Sequence, residues 1–193
     1  LLDLKVQGKI YCVKIFVNSY LPLWRKKIKN SISLSKEKGG GVLLELSHEI
    51  DYMLWLFGNP KHLRALIDET KIFNKEIEER ANVFFYYNNF VLQLDMSFNS
   101  RFENRSILIE GTEGSLKADL LKNTIHLNRS GLSKIIYKNN QKKSNILFEQ
   151  DNFFIKSVNK KQNKNNLLNS LKVLKLIKLS RKSNSNNRKI KVA

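Results

Sequence analysis

Residues Gly39 to Pro60 read GGGVLLELSHEIDYMLWLFGNP, and the rest of the chain is placed outward from this stretch. Val42, Leu46, Ile50, Met53, Leu54 and Phe57 recur at helical spacing until Gly58-Asn59-Pro60 stops the run. The spacing predicts a helix. On it Glu45, His48 and Asp51 fall at successive steps of three with Trp55 four beyond, so they share one side while Leu43, Leu46, Ile50 and Leu54 point elsewhere. Two carboxylates would bracket and orient one imidazole, as a general acid/base or proton relay requires. The plainer reading is a surface ion pair, and the residues alone leave both open. Gly39, Gly40 and Gly41 lack a Cβ, so another backbone or a ligand can come close, and the free N–H groups of the first helical turn favour an anion.

Upstream, Gly8 to Tyr20 alternates apolar and polar residues as a strand does, and Pro22 then blocks the ladder. Leu23 to Lys38 reads as a basic, Ser-rich loop. Tyr20, Trp24 and Arg25 lie just ahead of the helix, where they either line a sugar-binding cleft or cover the sheet. Downstream, Leu63 to Asp68 reads as a short strand, and Arg80 to Tyr87 with Phe90 to Phe98 as a hairpin around Asn88-Asn89. Ser106 to Glu110, Ser115 to Leu120, Thr124 to Leu127 and Ser133 to Tyr137 continue a meander. Leu167 to Ser180 is an expected amphipathic helix, with Leu167, Leu168, Leu171, Val173 and Leu174 set against a solvated lysine face, and Ile190 to Val192 is an expected last strand. The fold class is therefore α+β, an open, mainly antiparallel sheet backed by helices, in one domain over residues 1–193. Residues 156–193 form its basic C-terminal helix and tail.

Composition narrows the function. Lys and Arg number 35 against 17 Asp and Glu, a formal charge of +18, and 12 of those positives follow Asp151. Clustered cations raise the prospect of phosphate binding. The tail is as rich in Asn as in Lys and carries no aromatic residue beyond Phe154, which argues against base readout or stacking. Cys12 has no partner for an internal disulfide and reads as a buried, inert thiol. The longest apolar stretch, Val42 to Phe57, contains Glu45, His48, Glu49 and Asp51, so no membrane span is expected, and the start shows no secretory leader. The G-x-G-x-x-G, Walker, H-E-x-x-H and G-x-S-x-G patterns are absent, and a second Glu-x-x-His for a di-iron site is missing, so neither a dinucleotide nor a metal is expected on this chain alone.

The Gly39–Pro60 segment resembles the Gly-Gly-Gly, acid, His, Asp and Trp-Leu-x-Gly signature that opens the C-terminal domain of Gfo/Idh/MocA oxidoreductases. GKIYCVKIFVNSYLPLWR is similar to that domain's first strand and loop, and RSILIEGTEGSLKADL to its Gly-Thr-x-Gly hairpin. The final helix with Ser183 and Lys189-Ile190 is similar to its C-terminus. The resemblance implies an NAD- or NADP-dependent oxidoreductase of a sugar, cyclitol or related polyol, working in the cytoplasm, with the sheet used for homo-oligomer contacts. It implies proton transfer by His48 and substrate binding by Glu45, where the family usually has Asp. Asp51, Tyr20, Trp24 and Arg25 are the further candidates for substrate contact. The family's nucleotide-binding fold and its catalytic lysine are not in these residues, so NAD or NADP would come through a missing or separate N-terminal, Rossmann-type domain or chain. The competing expectation is a non-catalytic remnant serving as an oligomerisation or interaction module.

Overall fold

The computed structural model describes residues 4–24, 31–73, 76–141, 143–159 and 167–192. Its axis is β1 (Ile10–Tyr20), in which Val13, Ile15 and Val17 are buried while Cys12, Lys14, Phe16 and Asn18 are half-buried on the other face. That alternation is the period-two signature of a strand with one covered side. β1 runs parallel to β4 (Val91–Ser97) and antiparallel to β5 (Asn99–Gly111). Beyond β4 follow β3 (Arg80–Tyr86), β2 (His62–Asp68) and β9 (Ile190–Lys191), and beyond β5 follow β6 (Gly114–Asp119), β7 (Thr124–Arg129) and β8 (Leu132–Lys138). The sheet order is β8-β7-β6-β5-β1-β4-β3-β2-β9, and every pairing except β1 with β4 is antiparallel. The α+β reading of the sequence holds.

Among the described residues, five α-helices accompany the sheet: α1 (Leu21–Trp24), α2 (Val42–Glu45), α3 (Ser47–Phe57), α4 (Lys143–Asn159) and α5 (Leu167–Ser185). α5 packs on β2 and α3. Met53 and Ile50 of α3 join Leu176 and Ile177 of α5, Leu63 of β2, Phe85 of β3 and Leu92 and Leu94 of β4 in one buried cluster. The expected single helix is interrupted at Leu46, whose φ of −102° and ψ of 24° leave the helical region. Apolar spacing follows burial, which survives a one-residue deviation, so periodicity does not register the break.

Two findings concern the C-terminal helices. Lys143–Asn159 is a helix that the sequence alone does not place; its apolar residues come as Ile146-Leu147-Phe148 and Phe153-Phe154-Ile155, which blurs the helical period. On α5 the sheet-facing side is Val173, Leu176, Ile177, Ser180 and Ser183, whereas Leu167, Leu168, Leu171 and Leu174 are exposed. Ser183 and Asn184 carry the reason. Ser183 Oγ accepts from Ala65 N at 3.1 Å and donates to Arg188 O at 2.6 Å, and Asn184 Oδ1 accepts from Ile67 N at 2.9 Å. β9 pairs only with His62 and Leu63, so side chains of α5 take over the donors of β2 where the ladder ends. An open sheet edge is thereby closed. Cys12 is half-buried on the sheet face away from the helices, not in the core, because alternation gives the core side to Val13.

Candidate functional site

The first turn of α3 presents His48 with its side chain 53% exposed, while the adjacent Glu49 is fully buried. Opposite exposure of neighbours is what a helix lying on a sheet produces. Glu49 Oε1 lies 3.1 Å from His48 Nε2 and 2.7 Å from Arg105 Nη2. Arg105 stands on β5 in phase with the buried Ile107 and Ile109, so strand alternation aims it at the helices. Tyr52, one turn along α3, lies near the same carboxylate and acts on its ionisation. Burial pushes the Glu49 carboxyl up, but the hydrogen bonds from His48 and Tyr52 and the Arg105 charge outweigh it and hold the group below the ordinary carboxylate value. Burial, followed by the negative charge of Glu49, pushes the Tyr52 hydroxyl up. The result is an ionised, enclosed carboxylate with a half-exposed imidazole at its rim.

Of the other candidates, Glu45 accepts a hydrogen bond from the Ser33 hydroxyl, tying α2 to the 3-10 turn Ile32–Leu34. Asp51 is exposed on α3. The Tyr20 ring sits 6.2 Å from that of Phe73, with the Arg101 guanidinium 3.8 Å above it. Trp24 meets Phe98 edge-on at 5.7 Å. Arg25 lies outside the described residues. In the strand register Val17 faces Arg105 and Tyr20 faces Asn99, so Arg105 and Tyr20 lie toward the same end of β1.

Glu49 and Arg105 were not singled out from the sequence. A signal was present in Glu49, an acid among the buried positions Leu46, Ile50 and Met53, since a carboxylate in such a place requires a partner. Nothing local in the sequence points to Arg105 as that partner.

The three glycines serve the chain itself. A Cβ on Gly40 would lie 2.5 Å from Ile32 O and 2.6 Å from Ser33 O, so the close approach is made by the preceding turn. Gly39 N bonds Lys36 O, Gly40 N bonds Ser35 O, Gly41 N bonds Ser33 O and Val42 N bonds Glu78 O, so these donors are already used internally. These four donors form no phosphate cradle. Among the described residues no group of three or more His, Cys, Asp or Glu could hold a metal ion, and no helix is long and apolar enough to cross a membrane.

The open, mostly antiparallel sheet with its helices matches the C-terminal domains of known oxidoreductases in fold. Residues 1–117 match the family model described as GFO/IDH/MocA C-terminal domain, and the chain belongs to that family. Levoglucosan dehydrogenase in complex with NADH and L-sorbose superimposes with a TM-score of 0.83 at 13% identity, covering 97% of this chain and 60% of that one. Its complex with NADH and levoglucosan gives 0.80 at 13% identity, with the same coverages of 97% and 60%. The aldose-aldose oxidoreductase from Caulobacter crescentus complexed with glycerol gives 0.79 at 13% identity, covering 97% and 57%. At such identities the likeness is one of fold. The chain spans 57% to 60% of the length of these structures. No curated protein matches it by sequence.

Proposed function

We propose that this chain is the substrate-binding half of an NAD- or NADP-dependent oxidoreductase acting on a sugar, cyclitol or related polyol, completed by a nucleotide-binding domain that these residues do not supply. The observation that carries the reading is His48, half-exposed and braced by the buried Glu49, whose partner Arg105 lies toward the same end of β1 as Tyr20. Oxidising an alcohol carbon requires a base for the hydroxyl proton, and a fixed imidazole is suited to it. Glu45, Asp51, Tyr20, Trp24 and Arg25 are the proposed substrate contacts, in keeping with how sugars are gripped by aromatic faces and by carboxylate and guanidinium hydrogen bonds. The fold relatives crystallised with L-sorbose, levoglucosan and glycerol support that ligand class. The open face of the sheet, with Phe16, Phe84 and Tyr86 half-buried on it, is the proposed oligomer surface.

The test is reconstitution. The chain, mixed with or fused to a nucleotide-binding domain of the family, should reduce NAD or NADP with a panel of sugars and polyols. His48→Ala should abolish that activity while circular dichroism shows an intact fold. Activity indifferent to His48 would overturn the reading and leave a non-catalytic interaction module, which the exposed Phe148, Phe154, Leu171 and Leu174 would also suit.

A further inference from the structure

We infer that Glu49 is a positioning residue: its buried carboxylate, fixed by Arg105, takes His48 Nε2 and leaves Nδ1 as the ring nitrogen presented to a ligand. The inference rests on the proposed role of His48 and adds which atom of it works and what holds it there.

The geometry carries the argument. Glu49 Oε1 lies 2.7 Å from Arg105 Nη2 and 3.1 Å from His48 Nε2, and Glu49 has no exposure through which water could take the place of either. A buried carboxylate with an unmet charge is costly, so it retains its donors. Arg105 is anchored in β5, between Asn104 and Ser106, which face Asn18 and Phe16 of β1. The carboxylate is thus referenced to the centre of the sheet rather than to the mobile rim of a loop. The His48 side chain is half-exposed, and with Nε2 against the carboxylate Nδ1 is the nitrogen left for a bound hydroxyl. A neutral imidazole that donates from Nε2 has its lone pair on Nδ1. This arrangement makes the free nitrogen the proton acceptor and gives the ring one orientation. Neighbours Glu45 and Asp51, by contrast, can meet substrate without fixing the tautomer.

The experiment reads the tether without needing activity. In the 15N-labelled full chain, long-range proton–nitrogen correlation should show three imidazoles, from His48, His62 and His126. The His48 signal, assigned by its loss in His48→Gln, should place the proton on Nε2 and not on Nδ1, with that proton protected from exchange. Glu49→Gln should reduce that protection about ten-fold, the difference between a charged and a neutral acceptor. A His48 ring protonated at Nδ1, or an Nε2 proton exchanging as freely as in Glu49→Gln, overturns the proposal. Should Glu49→Gln fail to fold, the wild-type tautomer and protection decide alone. In the reconstituted oxidoreductase, Glu49→Gln should lower kcat about ten- to a hundred-fold with KM nearly unchanged; an unchanged kcat overturns the positioning role. Loss of the tether with His48-dependent activity retained would sink this inference and spare the oxidoreductase reading. A tether present with no His48-dependent activity would sink that reading, and with it the catalytic meaning of Nδ1.

Discussion

Arg181 meets Glu78 in a two-pronged pair, Nε to Oε1 at 2.6 Å and Nη2 to Oε2 at 2.9 Å. The backbone carbonyl of the same Glu78 accepts from Val42 N at 2.8 Å. One residue therefore joins α5 to the start of the helical segment that leads to His48. The carboxylate holds the Arg181 guanidinium above its usual value. Because Arg181 is partly exposed, solvent discounts the pair, and Arg181→Lys, which loses the planar fork, should cost about 1 kcal/mol. The midpoint of urea unfolding measures it; an unchanged midpoint would mean the fork contributes nothing.

Acid should act through Glu49. Its carboxyl is held below the ordinary value in the folded chain, so its contribution to stability is fully present above the unfolded value and is lost as pH falls through the folded one. Thermal unfolding followed from neutral pH into the acid range should show this loss, and the slope should be shallower in Glu49→Gln. Identical slopes would show that other carboxylates account for the whole acid response.

Gly40 and Gly39 should answer differently to alanine. At Gly40 the new Cβ would press on two backbone carbonyl oxygens, which cannot swing aside as a side chain can, so Gly40→Ala should be destabilising by about 2 kcal/mol or more. It should also displace Ser33 from Glu45. At Gly39 nothing lies within 4 Å, and only its φ of 81° is violated, at a cost of about 1 kcal/mol. Equal losses in chemical denaturation would contradict the packing argument.

Cys12 should react slowly with thiol reagents near about pH 8. Burial raises its thiol, and the charge of Glu110 adds to that against the opposing effect of Lys14. Cys12 and Glu110 face each other across β1 and β5, so Glu110→Gln should speed alkylation by iodoacetamide. No change in rate would assign the slowness to access alone.

The outer sides of α4 and α5 should make the chain self-associate. Phe148, Phe154, Leu171 and Leu174 are exposed there, and large apolar side chains turned to water favour association. Light scattering should show mass rising with concentration, and Phe154→Glu with Leu171→Glu should suppress it. A monodisperse monomer at every concentration would refute the expectation.

Legibility followed the kind of interaction. β3 and β4 could be read because Val83, Phe84, Phe85 and Tyr86 form a run of strand-favouring residues, Leu92, Leu94 and Met96 alternate with polar ones, and Asn88-Asn89 marks the turn between them. α3 could be read because Ile50 and Met53 sit at helical spacing. The insertion of β1 between β4 and β5 could not, since pairing between distant segments leaves no local trace. The same holds at the site. His48 stood out by residue type, whereas the Glu49–Arg105 contact depends on β5 being folded beneath α3. Leu171 and Leu174 misled because an amphipathic stripe does not say which of two apolar sides meets the sheet.

The central place of β1 has a cost during synthesis. Its two neighbours, Val91–Ser97 and Asn99–Gly111, are translated long after it, so the nascent strand leaves the ribosome with both edges bare. Closing so long a loop is entropically slow, and an unpaired apolar strand invites wrong partners meanwhile. A chaperone that shields Val13, Ile15 and Val17 until the later strands emerge would therefore govern how much native protein a cell obtains.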